Sequence, residues 1–300
     1  MPDSRISSVQ GARLVLSLLL VVLLILLSSW FFAAMCLMAA AMVVTSVTGS
    51  WKDWLVWIGM LVGFTLFASL RAAMETQVEA RPLFLYVIQL ETLGGLLPVA
   101  TTWLQKHLQS SLLNSGGVLD ALSTAVYISF FIAPQVVVVY LWRKGGPFPR
   151  YVAAACILFA GALVVHFLLP TAPPWMASEE GFIAPLDRIG MGVLTSTSET
   201  LTAGGYEAQA NDVAAMPSLH LGLVVLAMIA MVSHDPRTRI TGWGYSLAML
   251  FSITYLGEHY AVDGLVGAAM AWGAWWVTGR ISKEDGGGPV AAKRNELAAA

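Results

Sequence analysis

Long apolar runs, each closed off by a short polar or basic stretch, constrain this chain more than any other feature. Runs of about 17–25 residues are long enough to cross a bilayer as helices, and candidates lie at 14–29, 31–48, 54–73, 119–142, 151–169, 217–233, 241–257 and 260–279. Inside lipid every backbone N–H and C=O must be satisfied within the segment, so such runs take the helical form. Of the 300 residues 57% are hydrophobic and 11% charged, with a mean hydropathy of +0.73; soluble domains hold roughly 45–50% and about 25%. The expected fold class is an all-α polytopic membrane protein of about eight transmembrane helices.

Charge placement orients these runs. Arg143, Lys144 and Arg150, then Arg237 and Arg239, then Arg280, Lys283, Lys293 and Arg294 flank alternate ends of the later spans, and positive charge marks the cytoplasmic side. The stretch Leu14–Val47 is either one overlong helix or a hairpin around Ser28-Ser29-Trp30. A hairpin places Arg5 and Arg13 inside and Arg71 at the outer end of its span, whereas a single helix reverses Arg71. The expected organisation is one or two N-terminal spans in 1–50, with two favoured, a membrane domain over 51–280, and a disordered cytoplasmic tail over 281–300. Two outer loops fall at 75–118, with Glu91, Gly94-Gly95 and Pro98, and at 171–214. The first reads as interfacial or re-entrant helix, the second as a lid. Cys36 and Cys156 lie inside apolar runs and suggest neither a disulfide nor a metal cluster. A net charge of −2 with scattered basic residues gives no nucleic-acid surface.

Two short motifs place ionisable groups at the mouths of apolar segments, where burial is costly and function is the default reading. They are Pro217-Ser218-Leu219-His220 and His259-Tyr260-Ala261-Val262-Asp263. His259 and Asp263 are spaced to share a helix face, so the carboxylate can hold one imidazole nitrogen and leave the other to act as nucleophile or base. The chain crosses and returns between the motifs, which brings His220 to the same membrane face. Two histidines there suit phosphoryl transfer, one attacking phosphorus and the other protonating the leaving oxygen. His220 and His259 with Asp263 could also be three ligands of a catalytic zinc.

These residues resemble the type-2 phosphatidic acid phosphatase (PAP2) superfamily, whose motifs include Pro-Ser-x-His and a His with an Asp four residues on. Leu169-Pro170-Thr171-Ala172-Pro173-Pro174-Trp175, Phe67-Ala68-Ser69-Leu70-Arg71, Glu91 and Trp103-Leu104-Gln105 are similar to elements of its branch containing inositol phosphorylceramide synthase and bacterial relatives. The resemblance covers about Asp53 to Trp276. It implies a six-helix catalytic core with His259 as nucleophile, Asp263 as its orienting partner and His220 as general acid and base. It also implies a phospholipid or other lipid-phosphate substrate and a bacterial plasma-membrane enzyme working on the extracytoplasmic face. The Pro-Ser-x-His helix start offers backbone N–H groups to a phosphate, so with the resemblance no metal and no cofactor are expected.

The departures bear on the phosphate. Where superfamily phosphatases carry a Lys separated by six residues from Arg-Pro, this chain has Met74 before Arg81-Pro82. Where they carry Ser-Arg, Ser252 is followed by Ile253. Arg71 is the leading substitute cation, since a guanidinium grips phosphate oxygens in a bidentate way. Ser218, Glu91, Ser252 and His166 complete the expected substrate-binding set, His166 being either pocket-lining or packed. Glu258 sits beside His259, but sequence neighbours do not share a helix face.

Three function classes remain open: a phosphotransferase moving a phosphorylated headgroup, phosphoinositol by the resemblance, to an alcohol or lipid acceptor; a lipid phosphate phosphatase with water as acceptor; and a non-catalytic transporter. The first two share their chemistry up to a phosphohistidine. Gly264, Gly267 and Ala268 serve either internal packing or dimerisation, so the oligomeric state stays open.

Overall fold

The computed structural model describes residues 83–144, 146–197 and 214–286. The expected spans at 14–29, 31–48 and 54–73, together with Arg71, Met74 and Arg81, lie outside the described residues. In chain order the helices are α1 (Leu85–Glu91), α2 (Ala100–Leu108), α3 (Val118–Ser129), α4 (Ala133–Arg143), α5 (Phe148–Leu168), α6 (Pro174–Glu179), α7 (Ile189–Thr197), α8 (Leu219–His234), α9 (Arg239–Tyr255) and α10 (Ala261–Gly286). Short 3₁₀ turns occupy Leu112–Gly117 and Pro236–Thr238. The described residues are therefore all-helical, and their β pairing consists of two isolated bridges, Leu83–Thr171 and Thr171–Ala214.

The expected segments keep their places but not always their continuity. The run at 119–142 is two helices bent by 46° across residues 130–132. Pro134 stands in the first turn of α4 and, lacking an N–H, cannot continue the hydrogen-bond ladder of α3. α5 begins at Phe148, with Pro149 in its first turn where a missing N–H costs nothing. Among the described residues α5 alone is long and apolar enough to span by length and composition, or two such elements exist if the bent pair counts as one. The eight expected spans are thus not all reproduced among the described residues. α8 is strongly apolar but ends after 16 residues at the Asp235-Pro236 turn, about 24 Å at 1.5 Å per residue. α9 carries Arg239 and scattered Gly, Ser and Thr residues, and α10 carries Asp263 and Arg280. α10 also continues through Gly286, beyond the boundary expected for the tail.

α8 is the hub, packed against α4, α5, α9 and α10. Every residue from Leu221 to Ala230 is buried, as expected of a helix that is apolar on all sides. Its approach to α10 is a backbone contact. A Cβ added to Gly222 would lie 3.1 Å from the Gly267 carbonyl oxygen, and one added to Gly267 would overlap the Ser218 carbonyl. Gly264 faces Leu221, Leu250 and Ile253 in the same way, and Ala268 joins the same core. The small residues of α10 therefore serve packing inside the chain.

The two ends of the bundle differ in charge. At one end lie Arg143, Lys144, Arg150, Arg237, Arg239 and Arg280; Arg150 stacks 3.8 Å over the Trp275 ring and donates to the Trp275 carbonyl at 2.7 Å. At the other end the start of α8, the end of α5 and the α9–α10 turn converge. There His166 donates to the Pro217 carbonyl (3.2 Å) and the Ser218 N–H to the Asp263 carbonyl (3.0 Å).

Candidate active site

Two helix starts build the site. Before α8, Ser218 is extended and occupies the N-cap position, but its side chain makes no cap bond; its N–H is already held by Asp263 and its carbonyl accepts the Gly222 N–H. Before α10, the chain leaves α9 through Leu256-Gly257-Glu258, where Gly257 adopts φ +84°, a conformation that favours glycine. The His259 N–H then donates to the Ile253 carbonyl at 3.0 Å.

The first N–H groups of a helix lack internal partners and carry the positive end of its dipole. Two carboxylates meet them at the start of α10. Asp263 Oδ2 accepts the Tyr260 N–H at 2.9 Å, reaching back as an acidic residue does in a capping box. Glu91 accepts from Ala261 (3.3 Å) and Val262 (2.9 Å), and also from Ala100 at the start of α2 (3.3 Å). Burial pushes the Glu91 carboxyl up from its ordinary range, while these three N–H groups pull it down.

The His259 ring is buried, and both of its nitrogens are engaged. Nδ1 lies 2.9 Å from the Ala215 carbonyl oxygen and 3.7 Å from Asp263 Oδ2. A carbonyl only accepts, so Nδ1 carries the proton and Nε2 presents its lone pair. That lone pair faces His220 Nδ1 at 3.2 Å. The His220 ring is held between aromatic neighbours, stacked on Tyr127 at 4.5 Å and tilted against Phe130 at 4.4 Å. Among the described residues, four buried polar atoms of the two motifs have no hydrogen-bond partner: Ser218 Oγ, His220 Nε2, Tyr260 OH and Asp263 Oδ1. Interiors hold few such atoms, and their grouping on adjoining motifs suits a polar ligand.

The other sequence candidates fall as follows. His166 is buried and its Nε2 is spent on the Pro217 carbonyl, so it supports the Pro-Ser-x-His loop. Ser252 is buried within α9. The Glu91 carboxylate is engaged by three backbone N–H groups, which makes it a helix cap where a substrate contact was expected. Arg71 is outside the described residues. Among the described residues no group of three His, Cys, Asp or Glu is arranged to hold a metal ion.

Some partners escaped sequence reasoning. The Ala215 carbonyl carries no side-chain signal. Tyr127 and Phe130 were two aromatics in an apolar run. Glu258 does not face its neighbour His259; it pairs with Arg188, Nε to Oε1 at 3.0 Å, and the guanidinium lies 4.3 Å over the Trp175 ring.

The described residues thus form a helical bundle that sets two histidines in contact beside a buried aspartate, at the end of its apolar helices opposite Arg143, Arg150, Arg237, Arg239 and Arg280. Residues 99–277 match the family model of the PAP2 superfamily, and the chain belongs to that superfamily of lipid phosphate phosphatases and phosphotransferases. It is also similar to the inositol phosphorylceramide synthase catalytic subunit aur1 of Schizosaccharomyces pombe, 25% identical over 175 residues, which cover 54% of this chain and 41% of that protein. The chain thus spans about two fifths of that relative's length. No solved structure matches it.

Proposed function

We propose that this protein is an integral membrane phosphotransferase that moves a phosphorylated headgroup from a lipid donor to an alcohol or lipid acceptor through a phosphohistidine on His259. One observation carries the reading: His220 Nδ1 and His259 Nε2, from two separate motifs, lie 3.2 Å apart. A phosphorus entering between them meets the lone pair of Nε2. As the N–P bond forms and the P–O bond breaks, the leaving alkoxide takes the proton of His220. The imidazolium that develops on His259 keeps its Nδ1 proton on the Ala215 carbonyl, with the Asp263 carboxylate nearby to balance the charge. In the second half His220 removes the acceptor's proton, the new P–O bond forms, and His259 is released. Every proton in this cycle is carried by imidazole, so the mechanism is written without a metal.

The flanks of the bundle support a lipid setting, because Val164, Phe167, Leu247, Leu265, Trp272 and Trp276 are all exposed among the described residues, apolar surface that water does not favour. With the arginine-rich end inside, the histidines face the extracytoplasmic side of a bacterial plasma membrane, and Arg71 is the proposed grip on the phosphate there. Ser218, whose Oγ has no partner among the described residues, is a proposed hydroxyl contact.

The test is to incubate the purified protein with phosphatidylinositol carrying ³²P and quench it in alkali. Label that is base-stable, acid-labile and absent in His259→Ala supports the intermediate, and label retained in His259→Ala overturns it. Products separate the acceptors: an alcohol acceptor gives a new labelled lipid, water gives labelled inositol phosphate without one, and release of free phosphate from labelled phosphatidic acid would make the protein a phosphatase.

A further inference from the structure

The turn that delivers His259 is held from outside the bundle, and the fastening is an ion pair backed by amides. Every residue from Tyr255 to Glu258 touches the outer segment around 186–190 or a residue bound to it. The Gln105 amide nitrogen donates both to the Tyr255 carbonyl (2.9 Å) and to the Asp187 carbonyl (2.8 Å), while its oxygen accepts the Asp187 N–H (2.9 Å). Gln109 donates to the Asp187 carboxylate at 2.9 Å. The Trp175 N–H donates to the Gly257 carbonyl at 3.2 Å. A Cβ on Gly190 would meet Leu256 and Glu258, and one on Gly257 would lie 3.1 Å from Leu186 and 3.3 Å from the Asp187 carbonyl. Across this seam Arg188 grips both oxygens of Glu258, at 3.0 and 3.4 Å.

The Glu258 side chain is 7% exposed and that of Arg188 21%. A carboxylate so enclosed is held by its partner, and removing one member of such a pair leaves an uncompensated charge that disrupts its surroundings. Those surroundings are the residues immediately before the His259 ring, whose contacts to Ala215 and His220 tolerate little displacement. We propose that Arg188, acting through Glu258, is a positioning residue for His259, so that the outer loop sets the ring in place for attack. This rests on the reading of His259 as the reacting residue. Arg188 does not touch the reacting atoms; it fixes the turn that carries them. The loop expected to cover a lipid headgroup is thereby coupled to the nucleophile, and a substrate that displaces the loop also moves the ring.

The experiment uses the full chain in detergent and two readouts that need no substrate. One is amide hydrogen exchange over 253–263; the other is the rate at which diethyl pyrocarbonate modifies His259, resolved by peptide mass from His166 and His220. Arg188→Gln and Glu258→Gln should each speed exchange in the turn by about tenfold, the scale on which loss of a charge partner changes local opening, and should change the His259 modification rate while His166 keeps its own. The charge swap Arg188→Glu with Glu258→Arg should return both values toward wild type. Activity on ³²P-phosphatidylinositol should fall in kcat with little change in KM, since a small misplacement of a reacting group costs up to about 100-fold. Unchanged exchange and modification in both single variants, or a folded swap variant that recovers neither, overturns the proposal. Failure of the underlying reading shows separately, as turnover surviving in His259→Ala, whatever the exchange data give.

Discussion

The Nδ1 atom of His220 lies 3.2 Å from Nε2 of His259, although the two residues stand 39 apart in the chain. Each ring is fixed independently, His259 by the Ala215 carbonyl and His220 by Tyr127 and Phe130. Contact between them therefore depends on how closely the starts of α8 and α10 approach, and the expectations below follow from that dependence.

Asp263→Asn should preserve the fold and lower kcat by about 10–100-fold. Where a carboxylate alone sets a histidine's tautomer, the same change costs about 10⁴; here the Ala215 carbonyl keeps the proton on Nδ1, and an asparagine oxygen can still accept the Tyr260 N–H. Steady-state kinetics on folded protein check this, and a loss as deep as that of His259→Ala would assign the tautomer to Asp263.

His220→Ala should abolish turnover of a lipid ester, whose alkoxide needs a proton, yet leave a burst of phosphoenzyme from an activated aryl phosphate. Breakdown of that intermediate should be slow, because the base is gone. Quenched-flow amplitudes decide the matter, and equal losses on both leaving groups would make His220 a phosphate ligand.

Gly267→Ala should drive α10 away from the Ser218 carbonyl and reduce activity by about tenfold or more, since reacting groups misplaced by an ångström lose rate steeply. Gly273→Ala, which adds its Cβ in open space, should leave activity unchanged and stabilise the helix by up to about 1 kcal/mol. Matching activities in the two variants would show that backbone approach of α8 and α10 does not set the histidine contact.

Glu91 supplies a pH signature. Burial raises its carboxyl in the folded state above its unfolded value, so ionising Glu91 costs the fold stability. That cost is present above the folded pKa and disappears as pH falls to the unfolded value, about 4.3. Wild type should therefore gain stability relative to Glu91→Gln as pH drops through this window. Glu91→Ala, which leaves three N–H groups without an acceptor, should be less stable than either variant at every pH. Thermal midpoints of the three proteins across pH 4–8 would show it.

The bilayer orientation has a direct test. A cysteine at Ser178 should react with an impermeant thiol reagent added outside whole cells, and one at Thr238 should react only after permeabilisation. The reverse pattern would place the histidines at the cytoplasmic face.

The helical segments were legible because apolar runs bounded by Pro, Gly and charge are local patterns, and α5 and α9 fall where those patterns put them. The bend at residues 130–132 was less so, because Pro134 was hidden in an otherwise unbroken apolar run. His220, His259 and Asp263 stood out as ionisable side chains at helix mouths, a signal readable without coordinates. What the sequence by itself determined, then, was that its long apolar runs are helical and which end of them holds the ionisable groups. Only the tertiary structure decided that the Ala215 carbonyl accepts the His259 Nδ1–H, that Glu91 caps α10 across 170 residues, that Tyr127 and Phe130 hold the His220 ring, and that Arg188 clamps Glu258. A backbone carbonyl has no residue identity to read, and partners so distant in the chain meet through packing, which local periodicity does not encode.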